Sequence, residues 1–202
     1  VSDGRIANVA AAVLIGGASS RMGEDKARRS FAGIAAATRA SRLLASLFAD
    51  VMLVGGDAPG DAVGRRVADV AGPRCALRGL VAALEAARAE RVLVVATDLP
   101  LLGPELLLAL VAWPEADVVL PRRAGRIEPL CAIWHREHAL VAARERLAAQ
   151  TLALHELVAR LDARFLDDAD LAAIDPEGTA LANANTPEEW SYLERARTRG
   201  PA

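Results

Sequence analysis

Short apolar runs rich in Val, Leu, Ile and Ala alternate along the chain with longer stretches whose apolar positions return at helical spacing. That alternation predicts an α/β domain, a sheet with helices packed on both faces. Strands are expected at Val9–Ile15, Val51–Val54, Arg66–Val70, Arg91–Ala96, Asp117–Leu120, Ile127–Trp134 and Arg164–Leu166, with a turn over Pro121–Gly125. Helices are expected around Arg39–Phe48, Leu77–Arg88, Pro104–Trp113, Arg136–Gln150, His155–Leu161 and Pro187–Arg197. Pro104 suits a first helical turn, and Thr186 suits the cap before the last helix. Repeats, linkers and low-complexity segments are not evident, so residues 1–202 read as a single domain.

Composition narrows the class. At 53% hydrophobic and 25% charged the chain reads as a compact soluble protein. Only 3% is aromatic and the formal charge is −2, which argues against a nucleic-acid binder and asks any phosphate site to be local. Cys75 and Cys131 cannot build a disulfide framework, and both read as small core residues of a reducing compartment. Arg5 followed by Ile6–Ile15 superficially resembles a secretory leader, but Asp3 spoils a basic start and Gly16-Gly17 open a polar loop. The stretch reads as a buried first strand, no run is long enough for a transmembrane helix, and a cytoplasmic location is expected.

In an open parallel sheet, ligands bind beyond the carboxyl ends of the strands. Three predicted ends hold suggestive residues: Gly16-Gly17, Gly55-Gly56-Asp57 and Thr97-Asp98. These are expected along one edge. The stretch from Leu14 to Lys26 (Leu-Ile-Gly-Gly-Ala-Ser-Ser-Arg-Met-Gly-Glu-Asp-Lys) suits a triphosphate. Adjacent glycines let backbone N–H groups approach an anion, Arg21 offers a planar fork, and Lys26 a mobile point charge. It is neither a Walker loop nor a GxGxxG turn. Asp98 follows a buried strand and either caps the turn before Pro100 or presents a carboxylate to Mg²⁺.

The Leu14–Lys26 string resembles the signature of the molybdenum cofactor guanylyltransferases, within the wider nucleotidyltransferase superfamily. The resemblance continues in order through Thr97-Asp98-Leu99-Pro100, Glu128-Pro129-Leu130-Cys131-Ala132 and Asn183-Ala184-Asn185-Thr186-Pro187-Glu188. It implies a three-layer, Rossmann-like nucleotidyltransferase fold with a mostly parallel twisted sheet. It also implies Mg²⁺-dependent transfer of GMP from GTP to molybdopterin. Lys26, Arg21 and Asp98 take the catalytic roles, with Asp98 on the metal. Leu14, Ile15, Gly16, Gly17, Lys26, Asp69 and Asp98 hold the nucleotide; Asn183, Asn185 and Pro129 face the acceptor. The expected partners are small molecules, with contact to molybdoenzymes or cofactor-assembly proteins, and a monomer is expected.

The sequence also departs from the family. Where Gly-Pro-Leu-Gly-Gly is usual it has Cys75-Ala76-Leu77-Arg78-Gly79, and Ile15 stands where Ala is usual. Both bear on the base, so CMP transfer remains an alternative; transfer to another phosphorylated acceptor and a catalytically silent binding module that delivers cofactor stand beside it, the presence of Lys26 and Asp98 speaking against the last. Arg122, Arg123 and Arg126 read either as contacts to an acceptor phosphate or as an exposed basic turn. His135 and His138 have helical spacing without a third soft ligand, which disfavours structural zinc.

Overall fold

The computed structural model describes residues 4–16, 30–184 and 186–199. Its main sheet runs in the order β10-β7-β9-β6-β1-β4-β5, with the short β8 paired to the end of β7. The strands are β1 (Ile6–Leu14), β4 (Phe48–Val54), β5 (Arg65–Val67), β6 (Arg91–Ala96), β7 (Val118–Arg123), β8 (Arg126–Ile127), β9 (Cys131–His135) and β10 (Ala163–Leu166). Strands β6, β1, β4 and β5 are mutually parallel, and β10 is parallel to β7. Strand β9 runs against both its neighbours, β6 and β7. The mostly parallel, helix-covered sheet is therefore as expected, with one reversed strand near its middle.

Side-chain alternation along each strand divides the interior into two layers. Val9, Ala11 and Val13 of β1 join Leu93 and Val95 of β6 on one face. There they meet α1 (Ala36–Leu47), α3 (Pro104–Ala112) and α6 (Asp168–Ile174) through Leu44, Leu107 and Leu171. Ala10 and Ala12 face the other way, with Val92 and Val94, toward α2 (Ala76–Ala86), α4 (Arg136–Ala148) and α5 (Leu154–Val158). The small alanines of β1 are fully buried, so the central strand lets the α2 side approach closely.

The turn expected over Pro121–Gly125 shrinks to Ala124-Gly125, because β7 runs on through Pro121–Arg123 to pair with β8, and three further details differ from the sequence reading. Phe48 opens β4 instead of closing α1, because as a wholly buried ring it serves the sheet better than the helix's exposed end. The predicted strand Ile127–Trp134 is two pieces separated by Glu128–Leu130. After β8 the Glu128 N–H still donates to the Pro121 carbonyl at 3.1 Å, in register with the β7–β8 pairing; Pro129 then has no N–H for a ladder, and the Cys131 N–H donates to the Glu128 carbonyl at 3.1 Å, closing the turn that carries the chain into β9. Two elements were not foreseen: α6, and a small hairpin of β2 (Ser30–Phe31) and β3 (Ile34–Ala35). The last helix, α7 (Pro187–Arg199), starts as expected: the Glu189 N–H donates to Thr186 Oγ1 at 3.1 Å and the Thr186 N–H to Glu189 Oε2 at 3.0 Å, a capping box. Both cysteines are unpaired, Cys131 buried and Cys75 half-buried. Among the described residues no helix is long and apolar enough to cross a membrane.

Candidate active site

The parallel block β6-β1-β4-β5 fixes the site, because parallel neighbours present their carboxyl ends on one edge. Asp98 follows β6, Gly16 follows β1, Gly55-Gly56-Asp57 follow β4, and Asp69 follows β5. The three predicted strand ends do share that edge, and Asp69 joins them. A cavity of about 720 Å³ opens there, lined by Gly55, Gly56, Asp57, Ala58, Arg66 and Asp69 among others.

Beyond Leu14, the N–H groups of Ile15 and Gly16 both donate to the Val54 carbonyl, at 2.9 and 3.3 Å. This keeps the end of β1 bound to β4 until the loop departs. A Cβ on Gly16 would lie 3.1 Å from Asp69 Oδ2 and 3.2 Å from the Gly56 nitrogen. At Gly55, with φ of +69°, a Cβ would come within 2.8 Å of the same carboxylate. The glycines thus let Asp69 sit flush against the backbone of two strands. Gly17, Arg21 and Lys26 lie outside the described residues.

Asp69 is not alone. Arg78, on the first turn of α2, donates from Nη2 to Asp69 Oδ2 at 2.6 Å and from Nη1 to the Gly72 carbonyl at 3.0 Å. Both side chains are less than one-fifth exposed, 19% for Arg78 and 17% for Asp69, so the pair is desolvated enough to hold its geometry. Arg78 Nε is buried and finds no hydrogen-bond partner among the described residues. The departure at Arg78 therefore places a cation directly on the carboxylate expected to meet the nucleotide.

On the other side of Asp98 the chemistry comes from a strand's beginning. Because β9 is reversed, its first residue, Cys131, lies opposite Val95 near the end of β6. The preceding Glu128-Pro129-Leu130 segment therefore reaches the same edge. Glu128 Oε2 accepts a hydrogen bond from Asn183 Nδ2 at 3.2 Å. The Asp98 carbonyl accepts from the Ala184 N–H at 2.9 Å, so the Asn183 segment is tied to both acids. Burial pushes the Glu128 carboxyl above its ordinary value; the negative charge of Asp98 adds to this, against the Asn183 hydrogen bond. Pro129, half-buried, follows Glu128 directly, and Asn185 lies outside the described residues.

Glu128 is the residue the sequence reading passed over. It stood in a quoted motif without a role, and an acid placed just before Pro-Leu was the available signal. The donors around Asp98 are oxygen ones: two carboxylates in each other's field and one amide. Such a set fits a hard cation such as Mg²⁺.

Other candidates lie elsewhere. Arg122 is bound to the Asp167 carboxylate at 2.6 and 2.9 Å and stacks 4.1 Å from the Phe165 ring centroid. Arg123 donates to the Gly178 carbonyl. Both arginines thereby fasten α6 and the loop after it to β7. His135 and His138 stack with centroids 4.0 Å apart, one against Glu90 at 3.1 Å and the other against Asp117 at 2.5 Å. These lie at the start of β6 and β7, the edge opposite the site.

The chain matches the family model of the MobA-like NTP transferase domain over residues 11–168. It is 33% identical over 193 residues to a probable molybdenum cofactor guanylyltransferase of Chloroflexus aggregans, covering 90% of this chain and 91% of that one. A probable enzyme of the same name from Pelotomaculum thermopropionicum is 31% identical over 180 residues, with 88% and 87% covered. In fold it is similar to the crystal structure of molybdopterin-guanine dinucleotide biosynthesis protein A from Archaeoglobus fulgidus. The TM-score is 0.80 at 20% identity, covering 96% of this chain and all of that one.

Proposed function

The chain belongs to the MobA-like NTP transferase family and is a nucleotidyltransferase of the molybdenum cofactor guanylyltransferase type; from that premise we propose that it transfers GMP from GTP to molybdopterin, with Mg²⁺ as cofactor. The observation that supports this reading is the order of groups along one sheet edge. Glu128 and Asn183, then Asp98, Gly16, Gly55 and Asp69 follow the strand order β9-β6-β1-β4-β5. At about 4.8 Å per strand, the step from Asp98 to Asp69 spans roughly 14 Å. That is a distance an extended nucleoside triphosphate covers, with phosphates toward Asp98 and Gly16 and the base toward the cavity beside Asp69. The acceptor is left the side of Glu128, Pro129 and Asn183.

In this reading an oxygen of the acceptor's terminal phosphate attacks the α-phosphorus of the triphosphate in line. The new P–O bond forms as the bond to the bridging oxygen of the β-phosphate breaks, and pyrophosphate leaves with that electron pair. Mg²⁺ on Asp98 supplies charge neutralisation at the phosphates. Gly16, with no Cβ, leaves the phosphates room beside the end of β1, Gly17 offers a backbone N–H, and Arg21 and Lys26 offset charge on the departing phosphates. Glu128 and Asn183 orient the acceptor beside Asp98. Catalysis is then positioning and electrostatics, with no covalent intermediate on the protein. The two free thiols fit a reducing, cytoplasmic setting.

The Arg78–Asp69 pair favours keeping a second reading, CMP transfer to the same acceptor, because it alters the groups that the base meets. Pyrophosphate release measured with GTP, CTP, ATP and UTP, with and without molybdopterin, in Mg²⁺ and in EDTA, separates the two. Release confined to GTP with molybdopterin and Mg²⁺ is the expected result. A CTP preference changes the nucleotide, and no release with any triphosphate removes the reading.

A further inference from the structure

Arg39 lies on α1, outside every motif discussed so far, yet it reaches the turn that follows Asp98. Its Nε donates to the Pro100 carbonyl at 2.7 Å. Its guanidinium carbon sits 5.3 Å from the centroid of the Phe31 ring. Phe31 is wholly buried and meets Trp190 of α7 edge-on, with centroids 5.6 Å apart and the planes at 64°. Together with Ala36, Ala184 and Leu193 these rings form a third, small core, separate from the two that sandwich the sheet.

The Asp98–Pro100 turn is consequently gripped at both ends through its carbonyls. Ala184 donates to the Asp98 carbonyl at 2.9 Å, and Arg39 donates to that of Pro100. Just beyond Asp98, the Leu102 N–H closes a turn through Pro100 on the Leu99 carbonyl at 3.2 Å. The void bounded by Arg39, Thr97, Leu99 and Pro100 measures only about 10 Å³, so with Arg39 in place the helix packs closely on the turn, with room for about one water. A planar cation suits the post, since it hydrogen-bonds in its plane while covering the Phe31 face.

We propose that Arg39 is a positioning residue of the transfer reaction, holding the Asp98 carboxylate in place by anchoring the turn behind it to the small Phe31–Trp190 core. The inference rests on the assignment of Asp98 to the metal and the phosphates. It makes Arg39 act on the reaction without touching substrate. Its loss is therefore felt at the metal and in turnover, more than in capture of the nucleotide base.

The test uses the full chain with Arg39→Met, which keeps length and apolar cover, and Arg39→Lys, which keeps a charged donor. Amide hydrogen exchange at Leu102 and Ala184 reports the turn directly. Binding of Mn²⁺, followed by electron paramagnetic resonance with a non-cleavable GTP analogue, reports Asp98. Arg39→Met is expected to speed exchange at both amides about tenfold or more and to weaken Mn²⁺ about tenfold. kcat should fall by about 10–10² while KM for GTP stays within about twofold. Arg39→Lys should recover part of each effect. Phe31→Leu, which removes the ring and leaves the hydrogen bond, should show a smaller loss and remains informative if Arg39→Met fails to fold. Unchanged exchange at Leu102 and Ala184, or faster exchange with unaltered Mn²⁺ affinity, overturns the proposal. Absence of Mn²⁺ binding in the wild type, matched by Asp98→Asn, overturns the metal assignment instead, and the exchange rates then decide whether Arg39 anchors the turn.

Discussion

The two halves of the reactive edge are built from opposite ends of strands. The half formed by β1, β4 and β5 offers parallel strand ends, glycines and two acids, Asp57 and Asp69, the second held by Arg78. The half formed by β6 and the reversed β9 brings in the beginning of a strand, and with it the side chains of Glu128 and Asn183 around Asp98. In the proposed reading, glycine-rich ends that keep side chains out of the way suit the phosphates of any nucleotide, whereas a cluster of carboxylates and amides must match a particular acceptor and cation. One edge thereby divides a general task from a selective one.

Substitutions can break this division. Asp98→Asn strikes where the halves meet, and we expect kcat/KM to fall by about 10³, measured as pyrophosphate release, with Mg²⁺ dependence lost. Lys26→Ala should cost about 10²–10³ in rate by removing one preorganised charge, and near-wild-type turnover would remove Lys26 from the mechanism.

Glu128→Gln should cost less, about tenfold in kcat/KM, with the loss appearing in KM for the acceptor and not in KM for the nucleotide. The same variant should respond to pH in the metal-free protein. The Glu128 carboxyl is raised above its ordinary value, so its contribution is fully present below that value and is lost as pH rises through the folded one. Thermal melting in EDTA should accordingly find Glu128→Gln more stable than wild type at neutral pH, and the gain should vanish in acid. A gain independent of pH would show that charge on Glu128 is not the cause.

The smallest catalytic effect is expected at Arg78. Arg78→Leu should change KM for the triphosphates by about 2- to 10-fold with kcat nearly constant, and should alter the ranking of the four bases. An unchanged ranking would confine the Arg78–Asp69 pair to holding α2 against the sheet.

The parallel half was legible because its signals are local. Apolar runs ending in Gly16-Gly17 or Gly55-Gly56-Asp57 declare both the strand and its polar exit within a few residues. The other half was less so, since periodicity does not encode strand direction. Ile127–Trp134 looks like one apolar strand, and it is the turn closed by the Cys131 N–H on the Glu128 carbonyl that takes the chain out of the hairpin there. That break is what delivers Glu128 to the edge. Helix α6 escaped notice because it opens on Asp168-Ala169-Asp170 and buries only Leu171. The Arg78–Asp69 pair joins residues nine apart across a loop, and no spacing rule would have predicted the rotamer that closes it. Motif resemblance named Asp98 and Asn183, and the structure adds that the backbone of one is tied to the segment of the other.

The edge-on stacking of Trp190 against Phe31 also gives the protein an optical sensor. The chain has three tryptophans; Trp134 is locked in the main interior, and Trp113 sits at the far end of α3. Trp190, 4% exposed, is the indole in the small core that also holds Ala184, the residue bonded to the Asp98 carbonyl. With Trp113 and Trp134 changed to Phe, emission from the remaining indole would report rearrangement of that core in real time, with no label added to the site.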